Sequence, residues 1–463
     1  AIPTSPFTAT PSVCAGSPVT VTYTGNAPAT ANYTWGFDGG TVVSGSGQGP
    51  YTLVWNAAGS HQLSLTVAQN GCTSPSSTAQ VTINPIPNAS ISATSAVCIG
   101  QSNTVNFSGT AGATAAYAWS FGSGTVASGS GSGPYSVSWN TAGPQQLQVV
   151  VTENGCRDTA TYAVQVNAIP TSTFTITPAV CAGSPVSVNY TGNANAGSGY
   201  AWNFNGATVA SGSGQGPYSL VWNTSGNYSV SLTVTQNGCV SAPSSMPVTV
   251  NSIPDASITA TPSVCIGQAN TINFSGTALP GAAYTWSFGS GTVNSGTGAG
   301  PYSVQWGSAG VEQLKVTVSQ NGCKDSAQYN VTVFAIPTSS FTLPANACIG
   351  APFTISYSGT ASAVSSYTWN FGNAIIISGS GQGPYTLLST QAGNAPVSLT
   401  VTQNGCVSPP TTHAINIVGL PVAKAGLDKS ACSGSSVSLG DTPAAGYTYQ
   451  WTPSTGLADP AAS

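Results

Sequence analysis

Charge is what this chain has least of. Its 463 residues include 5 Lys plus Arg and 9 Asp plus Glu, 3% in all, against about 25% in ordinary soluble domains. A net charge of −4 makes no field that would gather nucleic acid or anionic lipid. Histidine is nearly absent too. His61 and His413 are the only two, so a base and an orienting acid for a nucleophilic serine cannot recur along the chain. Both are expected at the surface; His61 opens a strand where other repeats carry Gln145 or Asn227. No apolar run approaches the roughly 20 residues of a membrane helix, and no amphipathic helical period occurs. There is no initiator Met and no signal peptide. The chain opens on "AIP" and stops inside a motif, so a segment of something longer is expected. No cofactor is implied.

What remains is glycine, proline, small polar residues and a regular set of cysteines. Five pairs share one spacing: Cys14 and Cys72, Cys98 and Cys156, Cys181 and Cys239, Cys265 and Cys323, Cys348 and Cys406; Cys432 stands alone. The first members, from Cys14 to Cys348, advance by a near-constant step, and the surrounding sequence repeats with them. Each unit opens on "IP". A Trp follows its first Cys at a fixed interval (Trp35, Trp119, Trp202, Trp286, Trp369), then come a glycine-rich turn, "GPY" and "NGC". The units are 1–85, 86–168, 169–252, 253–335 and 336–419, followed by a truncated, divergent sixth at 420–463. Repeats one and three share "CAGSPV", and repeats two and four share "CIGQ" with "NGCRD" or "NGCKD". Repeat five mixes the two types. The array thus alternates A, B, A, B, with a longer period of two units.

Within a repeat the apolar period is two, which means strands. Val19, Val21 and Tyr23 alternate with Thr20, Thr22 and Thr24, and similar runs follow through Val81 and Ile83. About seven short strands in such a unit match an immunoglobulin-like sandwich. The predicted fold is all-β, a tandem array of immunoglobulin-like sandwiches forming an elongated rod. The five Trp from Trp35 to Trp369 are expected in the cores.

"YTWGFDGG" (33–40), "YAWSFGSG" (117–124) and "YTWNFGNA" (367–374) resemble the "YxWDFGDG" signature of PKD domains. The flanking cysteines and the "GSGQGPY" turn are similar to PKD-like repeats of very large Bacteroidota surface proteins, gliding adhesins among them. The sixth unit resembles a module common in proteins exported by the type IX secretion system. The resemblance implies an extracellular, cell-surface setting. The two acidic signature positions are neutral here: Gly36 and Gly39, Ser120 and Ser123, Asn203 and Gly206, Ser287 and Ser290, Asn370 and Asn373. Any calcium role of those acids is therefore not carried over.

Two disulfide patterns are open. Bridges within repeats would pair Cys14–Cys72, Cys98–Cys156, Cys181–Cys239, Cys265–Cys323 and Cys348–Cys406. Bridges between repeats would pair Cys14–Cys156, Cys98–Cys239, Cys181–Cys323 and Cys265–Cys406. Loop entropy does not choose, at roughly 4 against roughly 5 kcal/mol. In a seven-strand sandwich the two cysteine turns lie at opposite poles, roughly 23 Å apart, while bridged Cα atoms lie within about 7 Å. Tight linkers would instead bring poles of neighbouring repeats together. One strand more or fewer reverses that argument. Either pattern implies an oxidising compartment.

No cluster of metal ligands is visible. The run "SGSGQGP" (44–50) is followed by no helix, so it is a hairpin turn and not a phosphate cradle. Arg157–Asp158 and Lys324–Asp325 mark one repeat type, either as solvated turn pairs or as a register mark for a partner chain. Trp55, Trp139, Trp222 and Trp306 are candidate sugar platforms, but their phase with inward Tyr and Leu places them in the core; repeat five has Ser389 there. Eight Asn-x-Ser/Thr sites occur, Asn32, Asn106 and Asn189 among them. The functional expectation is a structural shaft of a bacterial surface adhesin, appendage or multi-chain filament. Its partners would be further copies packed laterally through neutral faces. The alternatives are a glycan-binding array or a spacer in a secreted enzyme.

Overall fold

A computed structural model describes residues 1–461. Among them are 43 strands and no helix. The chain divides into two compact units, Ala1–Ser252 and Ile253–Ser463. The first holds three immunoglobulin-like sandwiches and the second holds two.

Repeat one shows the plan. Its strands are β1 (Phe7–Ala9), β2 (Ser12–Cys14), β3 (Pro18–Tyr23), β4 (Asn32–Gly36), β5 (Thr41–Ser44), β6 (Tyr51–Val54), β7 (Gly59–Gln69), β8 (Cys72–Thr73) and β9 (Ser77–Asn84). One sheet runs β1-β3-β6-β5, and the other runs β2-β9-β7-β4 with β8 on β7. β1 pairs antiparallel with β3. After Pro11 the chain changes sheets, and β2 pairs parallel with β9. Counting each split strand once gives seven. Inward residues alternate as a two-sided sandwich demands: Val19, Val21, Leu53, Leu63, Leu65, Val67 and Val81 are fully buried, while Thr20 and Thr22 face outward.

Repeat two repeats the plan with β10 (Ile91–Ser92), β11 (Ala96–Cys98), β12 (Asn103–Phe107), β13 (Ala116–Ser120), β14 (Thr125–Ser128), β15 (Tyr135–Ser138), β16 (Gly143–Glu153) and β17 (Cys156–Asn167). Its closing hairpin, β16–β17, is paired without a break from Gly143↔Val166 to Glu153↔Cys156. That hairpin is where the A and B types differ. In repeats one, three and five the returning strand breaks after two residues (Cys72–Thr73, Cys239–Val240, Cys406–Val407). A buried serine fills the break: Ser74, Ser241 and Ser408 accept from the N–H of Val67, Val234 and Val401. Repeat five, mixed in sequence, thus closes as an A repeat. In repeats two and four the strand is continuous, and Asp158 and Asp325 instead accept from the N–H of Ala89 and Ala256 at 2.7 and 2.8 Å. The Ala89 and Thr159 N–H groups hold the Asp158 carboxyl below the usual carboxylate range. These acids fasten the chain as it enters each B repeat, which is more than a solvated turn pair would do.

After Val418 comes the segment expected as a truncated, divergent sixth unit. It forms turns but no strand among the described residues, and Leu420, Val422, Leu427 and Tyr447 are exposed.

Candidate functional site

The cysteines lie in two turns, each shaped by glycine. At the lower pole of a repeat, Cys14-Ala15-Gly16-Ser17 closes with the Ser17 N–H donating to the Cys14 carbonyl at 2.9 Å. Gly16 has φ +78° with nothing crowding it, so a type II turn's positive φ is what requires the glycine. The turn is tied down twice. The Ala15 N–H donates to the carbonyl of Asn84, the last residue of β9, and the Gly16 N–H donates to the carbonyl of Trp55. Repeat five keeps both bonds, to Val418 and Ser389; the anchor is a backbone carbonyl, so Ser389 serves where other repeats have Trp. At the upper pole, "NGC" is a two-residue hairpin loop. Asn154 and Gly155 have φ of 50° and 81°, the type I′ signature, and Cys156 pairs with Glu153 as the strand returns.

The poles are far apart within a repeat. Cys98 pairs with Asn167 at one end of β17, and Cys156 begins that same 12-residue strand. Eleven steps at about 3.3 Å span roughly 36 Å, far beyond the reach of a bridge. Neighbouring repeats meet instead. Cys14 bonds Cys156, Cys98 bonds Cys239, and Cys265 bonds Cys406, each with Cα atoms 5.6 Å apart. The within-repeat pairs Cys14–Cys72, Cys98–Cys156, Cys181–Cys239, Cys265–Cys323 and Cys348–Cys406 are thereby overturned, because each has at least one member committed to a neighbour. Beside the bridges, the side chain of Asn84 donates to the Asn154 carbonyl at 3.1 Å, and that of Asn167 donates to Asn237 at 3.4 Å. Cys156, Cys239 and Cys406 are 1% exposed. Cys72, Cys348 and Cys432 are free and exposed.

The aromatics sort differently from expectation. The fully inward Trp are Trp55, Trp139, Trp222 and Trp306, at 0–4% exposure, which removes them as sugar platforms. Trp35, Trp119, Trp202, Trp286 and Trp369 are only partly buried, flanking the core. They stand on the outermost strand of their sheet, covered by the glycine-rich turn and by the Tyr that follows it (Tyr51, Tyr135, Tyr218, Tyr302, Tyr385). Each stacks on the Phe two residues on, and each indole N–H donates to a carbonyl of that turn (Gly47, Gly131, Gly214, Gly298, Gly381). In repeat five Phe353 stands where repeats one and three have Val19 and Val186, one response to the Trp missing at Ser389.

Among the described residues nothing gathers into a catalytic or metal constellation. No group of three His, Cys, Asp or Glu that could hold a metal occurs among the described residues. The neutral signature positions hold their turn through neighbouring groups: Ser123 donates to Gln145, Ser290 donates to the Glu312 carboxylate, and Asn370 accepts from the Gly372 N–H. His61 is not a plain surface residue. It lies over Trp55 at 5.2 Å between ring centres, with Nδ1 3.5 Å from the Asp38 carboxylate. Strand register places Tyr228, rather than Asn227, at the matching position in repeat three, and Tyr228 stacks on Trp222 in the same way. His413 is exposed, its ring edge-on to Phe341.

The PKD domain family matches residues 6–84. The first repeat is therefore a PKD domain by sequence, and the four that follow share its fold. No curated protein matches the chain. Among solved structures, the eight N-terminal Ig domains of Down syndrome cell adhesion molecule align over 90% of this chain at 12% identity and a TM-score of 0.35; the chain spans 60% of that structure. Invasin, a bacterial integrin-binding protein, aligns over 71% of this chain and 79% of its own length at 15% identity and a TM-score of 0.27. Titin fragment I67–I69 aligns over 54% of this chain and 98% of its own, at 13% and 0.35.

Proposed function

We propose that this chain is a structural, extracellular segment: the stiff shaft of a bacterial surface adhesin, appendage or multi-chain filament used in attachment. The observation that carries the reading is the bridge from the lower pole of one repeat to the upper pole of the next. A bridge at that place restrains bending where tandem domains otherwise hinge. We extend the pattern to the remaining predicted pair, Cys181–Cys323. The disulfides support an oxidising compartment for the working chain. Export by the type IX secretion system of a Bacteroidota cell belongs to the same reading, through the sixth unit's resemblance.

Lateral association of copies is the second element of the proposal. The edge strands β5 and β14, with Thr208–Ser211, Thr292–Ser295 and Ile375–Ser378, are fully exposed and carry no charge. Edge strands are ordinarily guarded by charge. Each of these carries a bulge, which breaks the regular row of donors that strand addition needs. Packing through side chains is thus the favoured form, and these strands expose Val and Ile (Val42, Val43, Val126, Val209, Val293, Ile375, Ile376, Ile377) beside Thr and Ser. Burial of Trp55, Trp139, Trp222 and Trp306 weakens the glycan-binding alternative.

Small-angle scattering in oxidising buffer tests the shaft. Five repeats of about 40 Å predict a maximum dimension of about 200 Å with the distance distribution of a rod. A broad distribution typical of freely swivelling domains would overturn the reading.

A further inference from the structure

Two side chains that fill one place in the other repeats are missing from repeat five. Elsewhere the inward Trp (Trp55, Trp139, Trp222, Trp306) is matched by a large residue near the start of the long hairpin strand: His61, Gln145, Tyr228 and Glu312. Repeat five has Ser389 and Ala395 at these positions. His61 and Tyr228 stack on their Trp, with ring centres 5.2 and 5.4 Å apart. One turn carbonyl takes the ring donors. Asp38 accepts from Trp55 Nε1 at 3.0 Å and lies 3.0 Å from His61 Nδ1, and Asn205 accepts from Trp222 Nε1 at 3.3 Å. Counted from the signature Trp, Gly372 holds that position in repeat five, and neither ring is there to donate to it.

A cavity of about 210 Å³ opens at this place, with Gly372, Asn373, Ser389, Gln391 and Ala395 among its walls. Phe353 answers the missing Trp from the core side but does not line the cavity. Ser389 turns its hydroxyl to its own loop, donating to the Gln391 carbonyl at 3.1 Å, so it does not replace the ring donor. A neighbouring repeat does not cover the place. In repeats one and two, each bridged to the repeat after it, the matching Gly39, Ala57 and Ser60, and Ser123, Thr141 and Pro144, are exposed.

We propose that repeat five binds an indole-type ring supplied from outside the chain, a flat aromatic group whose edge N–H donates to the Gly372 carbonyl. The cavity has the volume of about seven waters, which suits one ring system and falls short of a drug-sized site. Its walls carry no charge, so a neutral ring fits where an ion would be desolvated without a partner. The same frame holds an indole in repeats one and three, which is why an aromatic donor is the occupant it favours over a saturated one. The site stands whether or not the segment is a shaft. The ring has two sources, a free indole or the tryptophan side chain of a partner protein, and the test separates them.

The full chain is titrated with fluorinated indole and, separately, with fluorinated N-acetyltryptophanamide, read by fluorine NMR. Indole should bind with a dissociation constant of about 1 mM, as the few atoms of one ring allow. Ala395→Tyr places in the cavity the ring that repeat three has at Tyr228, and should weaken binding at least about tenfold. Ser389→Trp combined with Phe353→Val rebuilds the pair found in repeats one and three, and should do the same. N-methylindole, which has no donor, should bind about tenfold more weakly than indole. Binding of the amide as tightly as indole assigns the partner side chain, and binding of indole alone assigns the free ligand. No binding of either probe would overturn the proposal. So would binding that Ala395→Tyr leaves unchanged, or N-methylindole binding as well as indole. Melting curves check the variants; Ala395 is only half-buried, so its variant reads the site even if the core variant folds poorly.

Discussion

Interlocked bridges set a limit on how far the chain can be stretched. Within the first unit the shortest covalent route from Cys14 to Cys239 crosses to Cys156, runs back along the chain to Cys98, and crosses again to Cys239. At about 3.5 Å per residue that route is roughly 200 Å long, even with all three sandwiches unfolded. With the disulfides reduced the route is the whole chain from Cys14 to Cys239, roughly 790 Å. The variant C98S/C239S keeps Cys14–Cys156 and leaves only the stretch from Cys156 to position 239 to pull out, roughly 290 Å. Had the bridges run within repeats, the same variant would retain only Cys14–Cys72 and release everything from Cys72 onward, roughly 580 Å. Single-molecule pulling between non-thiol handles beside Cys14 and Cys239 separates these lengths easily. The expected plateaus are about 200 Å, about 290 Å and about 790 Å for the oxidised parent, the oxidised variant and the reduced parent. A variant that opens to about 580 Å would refute the cross-repeat connectivity.

Other consequences follow from single side chains. Trp139 is fully buried. On the adjacent strand Asn103, paired with Val137, stands where repeat five has Phe353. Trp139→Ser should therefore cost repeat two about 3–5 kcal/mol, read by chemical denaturation; a loss below about 1 kcal/mol would mean the core collapses around the gap. Gly45→Ala should cost about 1–3 kcal/mol, because Gly45 has φ +113° and an added Cβ would lie 2.5 Å from the Pro50 carbonyl. A melting scan without any change would contradict that geometry. Asp158 has its pKa lowered in the fold by the Ala89 and Thr159 N–H groups. Its stabilisation is present above the ordinary carboxylate value of about 3.9 and is lost as pH falls through the lowered one. The difference in melting temperature between the parent and Asp158→Asn should thus be full at neutral pH and vanish in strong acid; a constant difference would exclude the carboxylate as its source.

Much of this was legible because the same short words recur. "CxG" and "NGC" each demand a positive φ at a fixed place, so the two turns, and the cysteines they carry, could be located without coordinates. The alternation of Val19, Val21 and Tyr23 with threonines likewise marked its strand and its inward face. Period-two patterns do not report depth, however. Trp35 and Trp55 share the inward phase, yet β4 lies at an edge and the chain from β5 to β6 folds over it, leaving Trp35 half covered. The split of the first strand between sheets was illegible too, since Thr10-Pro11 looks like any other turn. The role of Asp158 was hidden for a related reason. Its partner, Ala89, is distant in the sequence, and only the sandwich brings them together.

The placement of the bridges also bears on how so neutral a chain stays orderly. Between Cys14 and Cys156 the covalent route bypasses the linker at 84–87 altogether. Load crosses the joint through sulfur, then runs back through the body of repeat two to Cys98. Repeat two is thus gripped at both poles, and opening it releases little chain. With only 5 basic and 9 acidic side chains, an unfolded repeat would expose uncharged, β-branched strands with almost no repulsion to keep them from pairing elsewhere. Guarding such edges with lysine would sacrifice the neutral faces on which the proposed side-by-side packing depends. A covalent restraint on unfolding limits the exposure instead, without placing a charge on the surface. On this argument, near-absence of charge and the cross-repeat disulfides are one design: the second makes the first tolerable.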